Sequence, residues 1–176
     1  KASSIIILDC DTFKKKDILK AGFEKSPLED DSLSDYKVVE APITTLTKTC
    51  LKDLGLDNKT MLRCKNMFAL GISYWLFNNP MEQTINFFHV KFKNKPIIAE
   101  ANERVIKAGY NFAETIEVIT NSFTVPPANK KPGVYRNITG NQGTAWGFLA
   151  AAEKAGRDLF IGTYPITPAT DILHEL

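Results

Sequence analysis

Apolar positions along the chain follow two rhythms, one of strands and one of helices. Residues 4–8 read Ser-Ile-Ile-Ile-Leu and run into Asp9, a continuous β-branched stretch with a polar residue at its carboxyl end. That is the pattern of a strand covered on both faces. Residues 36–41 form a second strand ended by Pro42, since proline cannot donate to a ladder. Between the two lies a mixed-charge polar excursion over 14–37, with a short helix at its start. Residues 44–54 then fit a short helix closed by Gly55.

The helical rhythm dominates from there. Over 65–77, Met67, Phe68, Leu70, Ile72, Trp75 and Leu76 cover more than one face, which predicts a buried helix. Asn78-Asn79-Pro80 ends it. Residues 82–92 carry Ile85, Phe88 and Phe92 on one face, and Lys95-Pro96 breaks that helix. A third helix over 97–108 is expected to stop at Gly109. The simplest reading of this aromatic-rich block is core packing.

Residues 121–133 hold Pro126-Pro127, Asn129-Lys130-Lys131 and Pro132-Gly133 with little apolar content, the composition of a linker. Beyond it, Gly140-Asn141 is read as an N-cap for a helix over 142–155 ended by Gly156. Its small residues Gly143, Ala145, Gly147 and Ala150 to Ala152 predict close packing. Residues 159–162 read as a short strand, 163–167 as a turn, and 168–176 as a second helix. Helix, strand, turn, helix is the order of an open α/β sheet.

Charge and cysteine usage narrow the field. With 22 Lys+Arg against 20 Asp+Glu, the net charge of +2 gives no general electrostatic case for nucleic acid or an anionic membrane. No apolar stretch approaches the roughly 20 residues of a membrane span. Cys10, Cys50 and Cys64 are scattered and odd in number, so packing thiols in a reducing cytoplasm are expected rather than a metal cluster. His89 and His174 form no metal-binding spacing. The chain opens at Lys1 and stops at Leu176 inside a helical pattern, and it reads as a piece of a longer protein.

Chemistry is best sought in Tyr164-Pro165-Ile166-Thr167-Pro168-Ala169-Thr170. Thr167 stands where an N-cap belongs, with Pro168 at the first helical position. A helix N-terminus at a strand end would suit a carboxylate or phosphate, with the Thr167 hydroxyl facing the same crevice. Simple capping explains the same residues, and spacing leaves both readings open.

Two motifs go further. Tyr135-Arg136-Asn137-Ile138-Thr139-Gly140-Asn141-Gln142, followed by the segment 164–170, resembles the start of the catalytic alpha subunit of 2-oxoacid:ferredoxin oxidoreductases. The second motif is close to that family's YPITPSS-type signature, with Ala169 and Thr170 in its last two places. Residues 171–176 resemble the 2-oxoglutarate-type members. Upstream, 65–71 (Lys-Asn-Met-Phe-Ala-Leu-Gly) and 98–103 (Ile-Ala-Glu-Ala-Asn-Glu) resemble the gamma domain that some members fuse in front of alpha.

The resemblance implies an α/β chain in three parts. These are a partial Rossmann-like gamma domain over 1–120, a linker over 121–134, and the first α/β/α elements of a thiamine-diphosphate pyrimidine-binding domain over 135–176. It implies oxidative decarboxylation of a 2-oxoacid, here 2-oxoglutarate, onto coenzyme A, with electrons passed to ferredoxin. Thr167 would contact substrate, and Tyr164, Pro165 and Ile166 would wall the cofactor pocket. No Gly-Asp-Gly with a downstream Asn is present, so diphosphate and Mg are expected on a partner beta subunit. The 4Fe-4S clusters are expected there too. Glu175 comes too early to be the glutamate that activates the pyrimidine ring, and no catalytic residue is assigned. The gamma half also lacks the glycine-rich opening expected at its start, and this chain alone is expected to be inactive. The alternatives are a non-catalytic assembly module of a multisubunit complex, or a subunit of another thiamine enzyme.

Overall fold

Residues 4–116 and 122–176 are described by the computed structural model; Asn121, where the expected linker starts, lies outside them. The fold is mixed α/β, mostly helical, with a small parallel sheet of two strands. Two units separate along the chain, Lys1–Pro127 and Ala128–Leu176.

In the first unit, β1 (Ile5–Asp9) pairs in parallel with β2 (Lys37–Ala41), Ile5 opposite Lys37 and Asp9 opposite Ala41. The connecting segment carries α1 (Lys15–Lys20). Only β2 delivers fully buried side chains, Val39 and Ala41, while β1 is half-buried throughout. The apolar run of β1 therefore has one face less covered than its composition predicts. Past Pro42, α2 (Ile43–Cys50) continues through a 3-10 turn to Gly55, whose φ of 63° is the left-handed cap that glycine adopts without cost. The helix α3 (Asn58–Arg63), which the apolar pattern did not reveal, is capped by the Asp57 carboxylate accepting from the Thr60 N–H at 2.7 Å.

Three longer helices complete this unit: α4 (Lys65–Leu76), α5 (Glu82–Lys91) and α6 (Pro96–Thr115). The core forms where α4 crosses α6, with Phe68, Ile72, Val105 and Ile106 almost wholly excluded from water. Phe68 and Phe112 meet as tilted rings 5.6 Å apart. Helix α6 does not stop at Gly109 as expected but continues to Thr115. Gly109 serves the crossing instead: a Cβ there would overlap the Phe68 carbonyl. Gly71 on α4 is its counterpart, because a Cβ on it would overlap the Ile106 carbonyl and lie 2.7 Å from the Tyr110 nitrogen. The two glycines let the backbones approach beyond what any side chain permits.

In the second unit, α7 (Gly140–Ala155) and the short α8 (Thr170–His174) are the regular elements. The cap of α7 is Thr139, not the expected Gly140-Asn141. Its hydroxyl accepts from the Gln142 N–H, and the Gln142 side chain accepts from the Thr139 N–H. Gly156 closes the helix at φ 60°. The expected strand at 159–162 does not form. A strand exists by pairing, and no ladder partner for it stands within this unit. No helix among the described residues is long and apolar enough to cross a membrane.

Candidate functional site

The segment 164–170 is exposed through Pro168, turns over 167–169 and enters α8 at Thr170. The Ile166 N–H donates to the Tyr164 carbonyl at 2.8 Å, and the Thr170 N–H to the Ile166 carbonyl at 3.1 Å. The Asp171 N–H returns to the Pro168 carbonyl at 3.1 Å. The Thr167–Pro168 peptide is cis. Helix α8 begins at Thr170, with Ala169 in the cap position and no side-chain cap hydrogen bond. Thr167 is therefore not an N-cap and Pro168 is not a first helical residue. The chain turns for three residues before its helical bonding starts. The helix expected over 168–176 is realised only as Thr170–His174, so Thr167 lies three residues ahead of its first residue.

What the turn does present is side chains. Thr167 is exposed, and no protein partner for its hydroxyl is found among the described residues. Tyr164 is 80% exposed and Ile166 60%, with Pro165 exposed between them. All four side chains are exposed, three of them apolar and one bearing a hydroxyl. Exposed groups of this kind can meet a ring or a small acid, but they do not yet enclose one.

The turn is held from the first turn of α7. The Asn141 side-chain amide donates to the Pro168 carbonyl at 2.9 Å, and the Gln142 amide nitrogen donates to the Glu175 carboxylate at 2.9 Å. Gln142 thus uses both ends of its side chain, its oxygen in the cap of α7 and its nitrogen across to the end of α8. From the sequence, Gly140-Asn141 is expected as the N-cap and Gln142 as the first residue of the helix, and neither side chain is expected to reach the turn at 164–170. A Thr with Gln three residues later was the signal for the cap; the reach of Asn141 to a carbonyl 27 positions away had no local signal.

Elsewhere the charged groups act on structure. At the carboxyl end of β1, Asp9 accepts from the Thr44 hydroxyl at 2.8 Å, and Asp11 from the Thr45 N–H at 2.7 Å. Both carboxylates thus sit on the first turn of α2, where the helix dipole favours negative charge. Burial is the main cause holding the thiols of Cys10, Cys50 and Cys64 above the usual cysteine range. Thiols shifted that way are poor nucleophiles near neutrality. Among the described residues no cluster of His, Cys, Asp and Glu is arranged to hold a metal ion.

No family model and no solved structure matches the chain. Among curated proteins it is similar to 2-oxoglutarate oxidoreductase subunit KorA of Mycobacterium tuberculosis (strain ATCC 25618 / H37Rv), with 44% identity over 172 residues. That match takes in 98% of this chain but only 26% of the relative, so the chain spans about a quarter of that protein's length. Over nearly its whole length, then, this chain is a relative of a 2-oxoglutarate oxidoreductase subunit, as the motifs at 135–142 and 164–170 imply.

Proposed function

We propose that the chain serves a thiamine-diphosphate-dependent 2-oxoacid:ferredoxin oxidoreductase that converts 2-oxoglutarate and coenzyme A to the acyl-CoA. In this reading, 1–120 is gamma-like and 135–176 opens the pyrimidine-binding domain. The observation that carries it is the 44% identity over 98% of the chain to a subunit named for 2-oxoglutarate oxidation. Thr167 contacts the 2-oxoacid, and Tyr164, Pro165 and Ile166 lie against the cofactor.

The residues present fit part of that cofactor. The exposed apolar side chains of Tyr164 and Ile166 suit contact with an aromatic ring. Diphosphate with Mg is a different matter, because no carboxylate group among the described residues is arranged for a metal. Those parts, and the 4Fe-4S centres, belong to the partner beta subunit in this reading. When bound, thiamine diphosphate supplies the carbanion stabilisation that decarboxylation of a 2-oxoacid needs. This chain's share is to orient: the Thr167 hydroxyl donates to or accepts from the small acid, while the apolar neighbours exclude water. Ferredoxin is the electron acceptor and the cytoplasm is the compartment.

The test is an assay of the complete protein with its beta subunit, using a panel of 2-oxoacids, coenzyme A and a ferredoxin-type acceptor. Coenzyme A-dependent reduction with 2-oxoglutarate preferred is expected, and no reduction with any 2-oxoacid overturns the reading. Within that assay, Thr167→Val lowers turnover while leaving the fold intact. Unchanged kinetics would instead favour a non-catalytic assembly module. The exposed Trp146, Phe148 and Leu149 on α7 are the observation on that side.

A further inference from the structure

Asn141 is the second residue of α7, and its backbone is set by the Thr139–Gln142 cap immediately around it. Its side chain leaves the helix and meets the Pro168 carbonyl at 2.9 Å. A carbonyl only accepts, so the amide nitrogen must face it, and no alternative orientation of the Asn141 side chain makes this bond. Pro168 is bonded directly to Thr167, and the same carbonyl receives the Asp171 N–H at 3.1 Å, where the chain turns into α8. Two donors, the Asn141 amide from α7 and the Asp171 N–H, therefore hold the Pro168–Ala169 peptide, one peptide beyond the bond that follows the candidate substrate residue. The remaining tie from α7, Gln142 to Glu175, sits at the far end of α8 and does not reach the turn.

We propose that Asn141 is a positioning residue: through its hydrogen bond to the Pro168 carbonyl it holds the Thr167 hydroxyl where the 2-oxoacid binds. This rests on the reading of Thr167 given under Proposed function. Asn141 does not touch substrate. It acts through the backbone, and a small misplacement of a substrate-contacting group is enough to weaken binding strongly.

The experiment uses the complete protein assembled with its beta subunit, in three variants. Asn141→Asp keeps the size and suits a helix first turn, yet it has no N–H to offer Pro168. Amide hydrogen exchange over 167–171 is expected to quicken in this variant, and KM for 2-oxoglutarate to rise about tenfold with kcat changed far less. Asn141→Gln, which restores a donor, recovers most of the KM. Thr167→Val serves as the comparison. Unchanged exchange over 167–171 in Asn141→Asp overturns the proposal. Faster exchange with unaltered KM, while Thr167→Val is impaired, also overturns it but leaves the reading of Thr167 standing. If neither Asn141→Asp nor Thr167→Val alters KM, the reading of Thr167 falls and the proposal falls with it.

Discussion

In the unit that ends at Pro127, two crossing helices remove Phe68, Ile72, Val105 and Ile106 from water; in Ala128–Leu176, Ala145 alone is buried. The second unit is not poor in apolar residues. Tyr135, Ile138, Trp146, Phe148, Leu149, Phe160, Tyr164 and Ile166 are all exposed, Phe160 at 92%. What differs is the number of layers. An amphipathic or apolar helix stabilises a fold only when another element lies against it. Helix α4 has α6, α2 and α3 around it, whereas α7 has α8, a single short turn of helix. All ion pairs found among the described residues also lie in the first unit, from Lys65–Asp9 to Lys107–Glu103. The candidate turn thus stands in the unit where discrete hydrogen bonds, not burial, set geometry.

That contrast can be broken by substitution. The largest effect is expected from Phe68→Ala, about 3–5 kcal/mol of destabilisation from lost burial and the cavity left behind. Denaturant unfolding followed by circular dichroism measures it, and a cost below about 1 kcal/mol would mean that the α4–α6 crossing does not carry the unit. Gly71→Ala comes next at about 1–3 kcal/mol or somewhat more, because the new Cβ meets backbone atoms of α6 that cannot rotate away. Gly143→Ala, on the open α7, meets only the tip of Ile138 at 3.7 Å and is expected to be neutral or mildly stabilising. Equal costs for the two glycines would erase the distinction between the units.

Thr139→Ala removes the hydroxyl half of the α7 cap, at about 1 kcal/mol. It is read as faster amide exchange over the first turn of α7 with α4 and α6 unaffected. The smallest effect concerns acid. Hydrogen bonds from Lys107 and then His89 hold the Glu103 carboxyl below its ordinary value of 4.5. With the folded value below the unfolded one, this contribution is complete above pH 4.5 and is lost as pH falls through the depressed value. Both partners are half-exposed, so the effect is under about 1 kcal/mol. Glu103→Gln should flatten stability against pH below that point in the first unit; a curve identical to wild type would remove the pair from the account.

Much of the first unit was legible because its signals are local. The β-branched run before Asp9, Pro42 after the second strand and Gly55 after α2 each act within a few residues, and each stands where expected. Gly109 shows where local reading ends: a glycine in a helical pattern looks like a stop, but here it is a contact surface for Phe68. The error at 159–162 is of the same kind, since a strand pattern without a neighbour makes no strand. At the candidate segment, a turn is expected over 163–167 and a helix from 168, whereas the turn falls at 167–169 and α8 starts at Thr170; Thr167 was misread as a cap because Pro168 in first helical position is so common. The reach of Asn141 across to Pro168 could not be read at all.

By itself, then, the sequence determined the two strands and the long helices of the first unit, the mixed α/β class, and, through its motifs, the kinship with a 2-oxoglutarate oxidoreductase subunit. Those depend on side-chain chemistry and spacing along the chain. Only the tertiary structure decided that α6 runs through Gly109 and that the turn at Thr167 is tied to Asn141. The physical reason is common to both. Each is settled by which partner atom is within reach, and that atom belongs to a residue far away in sequence.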